Sequence, residues 1–275
     1  RLNGRNDYRI RGNRGTVSYL SFGSQKGGYE TDSKMAQTGF IDAARMQFAA
    51  DGSFELILSQ KPHAGNWLPL EATSNALVVR QTFLDRRTEK PAQLTIEPIG
   101  SNVKPVPLDP VKLHDGLRNA ARFVENTAKL FADWSQSYQA HPNQLPPADQ
   151  ALCQAVGGDP NIFYYHGYWA LEEDEALLIE VERVPECRFW NLQMDNYWME
   201  SLDYRYHRIH LNKHSARYDD NGGVTVVLAH RDPGLPNWLE TAGHRVGTMA
   251  MRWVGAKEHV HPTTRVVKLA ELARR

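Results

Sequence analysis

Apolar and polar positions follow two different periods along these 275 residues. Between residues 7 and 100, short runs rich in β-branched and aromatic residues recur: DYRIRG, GTVSYLSF, TGFIDAARMQF, SFELILSQ, ALVVRQTF and AQLTIEPI. Runs of this length and composition predict half-buried strands. Turn residues separate them, at Gly12-Asn13, Gly27-Gly28, Asp51-Gly52 and Lys90-Pro91. Asp51-Gly52 predicts a hairpin between RMQFA and SFELIL, because a tight primed turn needs positive φ at both central positions. The period then changes. Asp109 is a good N-cap and Pro110 suits the first helical position. Leu113, Leu117, Ala120, Val124, Thr127, Phe131 and Trp134 follow at steps of three and four, which predicts one buried helix face over about 110–138. Two adjacent prolines in HPNQLPPADQ end it. Strand-like runs return from NIFYYHGYWAL to RVVKLA. The expected organisation is a first β-sandwich half over 1–108, a helix with a Pro/Gly-rich connector over 109–160, and a second β-sandwich half over 161–275.

One device occurs in both β-regions. Residues 51–80 read DGSFELILSQKPHAGNWLPLEATSNALVVR, and residues 221–253 read NGGVTVVLAHRDPGLPNWLETAGHRVGTMAMRW. Gly52 to Asn66 and Gly223 to Asn237 are both 14 residues. Each copy passes from a Gly turn through a strand to Asn-Trp-Leu, then to a strand closed by Arg. Asn suits a turn because its side chain bonds nearby backbone. Trp is expected to close the open end with its ring in the core. Asn66-Trp67 and Asn237-Trp238 are therefore expected at equivalent corners of two related halves.

The second copy carries a wider pattern: Phe189-Trp190, then Asn212, a Gly-turn strand, Asn237-Trp238-Leu239, and a strand ending at Arg252. On these residues the segment 187–253 resembles the bacterial domain-of-unknown-function family numbered 1214. YRIRGNRGTVSYLSF and HGYWALEEDEAL extend the resemblance over most of the chain. The resemblance implies a jelly-roll-like sandwich and no established activity. The expected fold is mainly β: two related jelly-roll-like antiparallel β-sandwich halves joined by one long α-helix.

Composition narrows the partners. With 41% apolar and 23% charged residues this is a globular chain. Lys plus Arg equals Asp plus Glu at 32 each, which gives no electrostatic case for nucleic acid or an anionic membrane. No apolar run approaches the roughly 18 residues of a membrane span. Cys153 and Cys187 make neither a disulfide framework nor a zinc site, which fits a reducing, cytoplasmic setting. The chain starts at Arg1 rather than Met, so preceding residues are expected. The sequence names no cofactor, and an oligomer is compatible with it.

The chemistry-bearing residues concentrate in the second copy, where His230 and Asp232 stand in place of Gln60 and Pro62, and Thr241 and His244 follow. Gly243 is expected to turn His244 back toward His230 and Asp232, making an acid–base site. Tyr204, Arg205, Asn212, Asn237, Trp238 and Arg252 are the candidate substrate-binding residues, with Arg205 or Arg252 as an anion clamp. The competing reading has the loop histidines capping turns. His210 and His214 would share a strand face with His207 opposite, and His259 and His261 would share another; neither set predicts a metal site. Aromatic residues cluster in FYYHGYW, FWNLQMDNYW and DYRYH. Alternation places Tyr164, His166 and Tyr168 on one strand face, suited to a sugar or flat ligand or to packing against the helix. Two function classes follow. One is an enzyme acting on a small polar or glycosidic substrate. The other is a non-catalytic carbohydrate- or hydrophobic-ligand-binding or assembly module.

Overall fold

The computed structural model describes residues 1–31, 34–100 and 107–272. The chain forms two compact units, Arg1–Thr127 with Gln154–Asp159, and Ala128–Cys153 with Pro160–Arg275. The protein is mostly β, with four sheets in two halves and one long helix in the chain between them.

The first half holds β1 (Tyr8–Asn13), β2 (Tyr19–Gly28), β3 (Lys34–Asp42), β4 (Ser53–Ser59), β5 (Trp67–Pro69), β6 (Ala76–Thr82) and β7 (Gln93–Pro98). They form one sheet of order β5-β4-β1-β7 and another of order β3-β2-β6. Ile10, Leu56, Leu58 and Leu68 from the first sheet meet Leu20, Phe22 and Ile41 from the second in a shared core. The long helix α1 (Pro110–Tyr138) and the short α2 (Gln150–Ala155) follow. The second half holds β8 (Ile162–Ala170), β9 (Glu175–Val181), β10 (Phe189–Asp195), β11 (His210–Asn212), β12 (Val224–Ala229), β13 (Trp238–Glu240), β14 (Val246–Val254) and β15 (Thr263–Lys268), then α3 (Leu269–Leu272). Its sheets are β13-β12-β9-β15 and β11-β10-β14-β8.

Strands β1–β7 thus correspond to β9–β15 in chain order and in sheet neighbours. The register agrees too: Ser21 lies opposite Asp42 and Arg80, and Asn191 lies opposite Asn212 and Arg252. Strand β8 has no counterpart among the described residues of the first half.

The repeated corner is built atom for atom. Asn66 Oδ1 accepts from Gln47 N at 2.7 Å, while Nδ2 donates to Gln47 O and Glu55 O, both at 2.9 Å. Asn237 Oδ1 accepts from Arg217 N at 2.8 Å, while Nδ2 donates to Arg217 O at 2.7 Å and Thr225 O at 3.0 Å. Both side chains are buried, and every amide atom of each is engaged by backbone. Leu68 and Leu239 then enter the two cores. The short strands β5 and β13 pair in parallel with β4 and β12, whereas the other strand pairings among the described residues are antiparallel. Only three residues overlap in each parallel pair, so a short loop suffices to bring the chain back.

Four sequence expectations change in detail. The Trp rings lie outside the cores between the sheets: Trp67 and Trp238 are half-buried, Trp238 packs against a second apolar cluster formed by Ala176, Leu178, Val227 and Val267, and each indole N–H donates to the neighbouring strand, at Ser59 O and Ala229 O. Alternation demands this once Leu68 and Leu239 point inward. The turn glycine matching Gly52 is Gly222, both at φ +80°, and the second copy has one more loop residue after its strand. RMQFA is not a strand: a 3-10 turn at Ala43–Arg45 carries the chain from one sheet to the other, and Asp51-Gly52 leads into β4 without closing a ladder. Finally, Asp109 caps α1 through Val111 N at 2.9 Å, but Leu113, Leu117 and Val124 on its predicted apolar face are exposed.

Candidate functional site

Alternation sorts the residues of β8, β10 and β14 onto two faces. Tyr165, Trp169, Leu192, Met194, Met249, Met251 and Trp253 fill the core of the second half. The opposite face forms three rungs across the strands: Asn191–Arg252–Tyr164, Gln193–Ala250–His166 and Asp195–Thr248–Tyr168. Directly opposed residues have Cβ atoms about 4.5–5.5 Å apart. Ala250 at the centre has no side chain beyond its Cβ, so eight larger residues, most of them polar, surround the smallest position of the face.

Most of this face is covered. Tyr164, His166, Tyr168, Asp195, Thr248 and Ala250 are buried, and Asn191, Gln193 and Arg252 are half-buried. The C-terminal end of α1 contributes Tyr138, whose hydroxyl lies 3.1 Å from His166 Nδ1, and Trp134, with its ring centroid 5.8 Å from the imidazole. Gln150, at the start of α2, grips the backbone of β8: its Nε2 donates to Tyr164 O at 2.8 Å and its Oε1 accepts from Tyr164 N at 2.9 Å. Asp149 caps α2 through Leu152 N at 2.9 Å, and the buried Cys153 follows one turn in.

Burial sets the electrostatics. It lowers the His166 pKa to about 3, with Arg252 adding to the effect, so the imidazole is neutral at ordinary pH. Burial raises the Asp195 carboxyl to about 6 against the opposing pull of Gln193 and Arg252. Asp195 Oδ1 accepts from Gln193 Nε2 at 2.6 Å. Its Oδ2 carries no hydrogen bond among the described residues. Cys153 is pushed up to about 11 by burial and Asp149, with Arg252 pulling the other way. Arg252 therefore acts electrostatically on His166, Asp195 and Cys153, yet its guanidinium makes no hydrogen bond or ion pair among the described residues. A half-buried cation of this kind is ready for an anionic partner.

Of the candidate site residues read from sequence, Arg252 lies on this face, as does Asn212 on β11 opposite Asn191, and the aromatic-strand residues Tyr164, His166 and Tyr168 line it as alternation predicts. His230 bridges Thr241 Oγ1 at 2.8 Å and Leu171 O at 3.2 Å, so both ring nitrogens are occupied. Asp232 Oδ1 accepts from Gly234 N at 2.8 Å, closing a local turn. Ala242 and Gly243 both take positive φ, as a sharp turn requires, and His244 is exposed, with its backbone N–H on Thr241 O. Tyr204 is half-exposed. Arg205 is gripped by Asp203 at 2.8 and 3.0 Å. Asn212 Oδ1 accepts from His214 N and Ser215 N, and Asn237 and Trp238 build the corner already described. His207 meets Glu240 at 3.0 Å, His259 stacks on Phe163, and His261 Nδ1 lies 2.9 Å from the Tyr165 hydroxyl. Among the described residues no group of three His, Cys, Asp or Glu side chains is placed to hold a metal ion. The residues missed from sequence are Asn191, Gln193 and Asp195; their signal was polar alternation in FWNLQMD on a strand whose other face is apolar.

Fold and site together define a two-half β protein with a polar, covered sheet face in its second half. The family described as "Protein of unknown function (DUF1214)" matches residues 1–82 and 170–258, and the chain belongs to that family. The two regions hold β1–β6 and β9–β14, the corresponding strands of the two halves. The chain is similar to the crystal structure of an uncharacterized protein from Burkholderia cenocepacia, with 64% identity and a TM-score of 0.97, over 98% of this chain and 75% of that one. It shares a fold with the VPA0106 protein from Vibrio parahaemolyticus at 10% identity and a TM-score of 0.56, over 97% of this chain and 87% of that one. No curated protein matches it. No helix among the described residues is long and apolar enough to cross a membrane.

Proposed function

We propose that the protein binds a small polar molecule carrying an anionic group on the outer face of the β11-β10-β14-β8 sheet, with Arg252 as the anchor. The observation that supports this is the half-buried Arg252, which makes no hydrogen bond or ion pair among the described residues and stands among polar side chains of the same face. A desolvated guanidinium gains more from an anion than an exposed one, because water competes less. Asn191 and the aromatic rings of Tyr164 and Tyr168 supply shape and further polar contacts. The test is ligand-observed NMR with acetate, inorganic phosphate and glucose as probes. Acetate or phosphate is expected to bind wild type and Arg80→Met but not Arg252→Met. Anion binding that is equal in all three proteins, or glucose binding without any anion binding, would overturn the reading.

Asp195 favours a second, enzymatic reading. A carboxyl raised to about 6 holds a proton close to neutrality and can act as a general acid–base toward a small polar or glycosidic substrate. Turnover abolished by Asp195→Asn with binding retained would select it.

A further inference from the structure

The first half supplies a view of what this face accepts. Its equivalent face, on β2 and β6, is occupied by the chain's own segment 154–159, which belongs to the same unit. Arg80 and Gln25 both donate to Gly157 O, the latter at 3.3 Å. The Tyr19 hydroxyl and Ser21 Oγ donate to Asp159 Oδ2 at 2.9 Å each, and Asp159 is fully buried. Gly157 sits at φ +99°, where an added Cβ would come within 3.0 Å of Gln25 Nε2, so the fit is close. The occupant is thus a carbonyl and a carboxylate, met by a cation and neutral donors.

Register carries this arrangement across to the second half. Arg80 corresponds to Arg252, Ser21 to Asn191, Val78 to Ala250 and Gln25 to Asp195. The cation and one neutral donor are kept. Val78 becomes the smaller Ala250 at the central rung. Gln25, which donates, becomes Asp195, which accepts and whose Oδ2 is unengaged although the residue is 97% buried (3% exposed). An occupant of the second face therefore needs an acceptor for Arg252 and, further along the strand, a donor for Asp195. The three rungs are spaced by about 7 Å each, and the flexible Arg252 side chain shortens the gap to Asp195, so a short molecule spans it.

Resting on the binding reading above, we propose that the ligand is a small carboxylic acid that also carries a hydroxyl or ammonium group, its carboxylate on Arg252 and its donor on Asp195. Isothermal titration calorimetry at pH 8 with butyrate, 3-hydroxybutyrate and 4-aminobutyrate tests this. Wild type is expected to bind at least one of the two donor-bearing acids about tenfold or more tightly than butyrate, as a hydrogen bond to a charged group gives. Arg252→Met should remove binding of all three. Asp195→Asn should remove the preference for 4-aminobutyrate and leave butyrate binding in place, with thermal unfolding verifying that the variant is folded. The wild-type affinity ratio stands without any variant. Equal affinity for all three acids, still dependent on Arg252, would overturn the ligand class and leave the binding reading intact. Failure of every carboxylate to bind through Arg252 would remove both.

Discussion

The two halves place an arginine at the same register and use it differently. In the first, Arg80 is consumed by Gly157 of the chain's own segment, and Asp159 beside it is sealed under Tyr19 and Ser21. In the second, Arg252 faces a ring of polar side chains and holds none of them. One scaffold position is thus structural in one copy and free in the other. Two differences create the contrast. Strand β8 adds Tyr164, His166 and Tyr168 to the second face, and the central residue shrinks from Val78 to Ala250. A conserved geometry does not fix the role of a residue; what lies on top of it does.

The corner the halves share gives the largest expected effect. Asn66→Ala and Asn237→Ala each remove three hydrogen bonds from a buried side chain to backbone, at a cost of about 2–4 kcal/mol in urea unfolding. Asn237→Ala should cost about 1 kcal/mol more, because Asn237 sits at φ +55° and Asn66 does not, the corresponding left-handed residue there being Gly65. Losses below about 1 kcal/mol for both would show that the amides do not hold the corners.

The second face should reveal itself through pH. The folded pKa of Asp195, about 6, lies above its ordinary 3.8, so the folded state takes up a proton that the unfolded state has lost. That group's contribution is fully present below the unfolded value and is lost as pH rises through 6. Wild type should gain about 1–2 kcal/mol relative to Asp195→Asn on going from pH 8 to pH 5. His166 acts in the opposite direction, since its folded pKa of about 3 lies below 6.5 and acid favours its unfolded, charged form. The difference between wild type and variant isolates Asp195. A pH-independent difference would place Asp195 in a solvated setting. At the corresponding position of the first half Gln25 carries no titrating group, so the stability difference between wild type and Gln25→Ala should not change between pH 8 and pH 5.

The smallest effects separate two loop histidines. His230→Ala loses contacts to Thr241 and Leu171 and should cost about 1 kcal/mol. His244→Ala, at an exposed position, should stay within about 0.5 kcal/mol in thermal unfolding. Equal costs would mean that His244 is held by contacts as strong as those of His230.

Much of the fold was legible in the sequence because its signals are local. Period-two runs marked the strands, Asp109 marked the start of α1, and the Gly–strand–Asn-Trp-Leu device marked the repeat. The candidate face was legible only strand by strand. Alternation grouped Tyr164, His166 and Tyr168, but their meeting with Arg252 and Asp195 depends on pairing across as many as 88 residues of chain, from Tyr164 to Arg252. Register of that range leaves no local trace. The predicted hairpin at Asp51-Gly52 failed for a related reason: the turn chemistry is real, with Gly52 at φ +80°, but turn chemistry does not say whether the flanking segments lie in one sheet or two. Loop histidines drew attention because histidine is rare and reactive, whereas the buried Asp195 looked like one more polar residue in an aromatic run.

The segment 154–159 has a consequence for biosynthesis. The rest of the first half ends at Thr127, yet its sealed carboxylate, Asp159, leaves the ribosome 32 residues later. At typical elongation rates that delay is roughly 2–6 s. During that interval the nascent first half exposes Tyr19, Ser21, Gln25 and Arg80 without their final occupant, so its last packing step waits for a stretch of chain that follows the long helix.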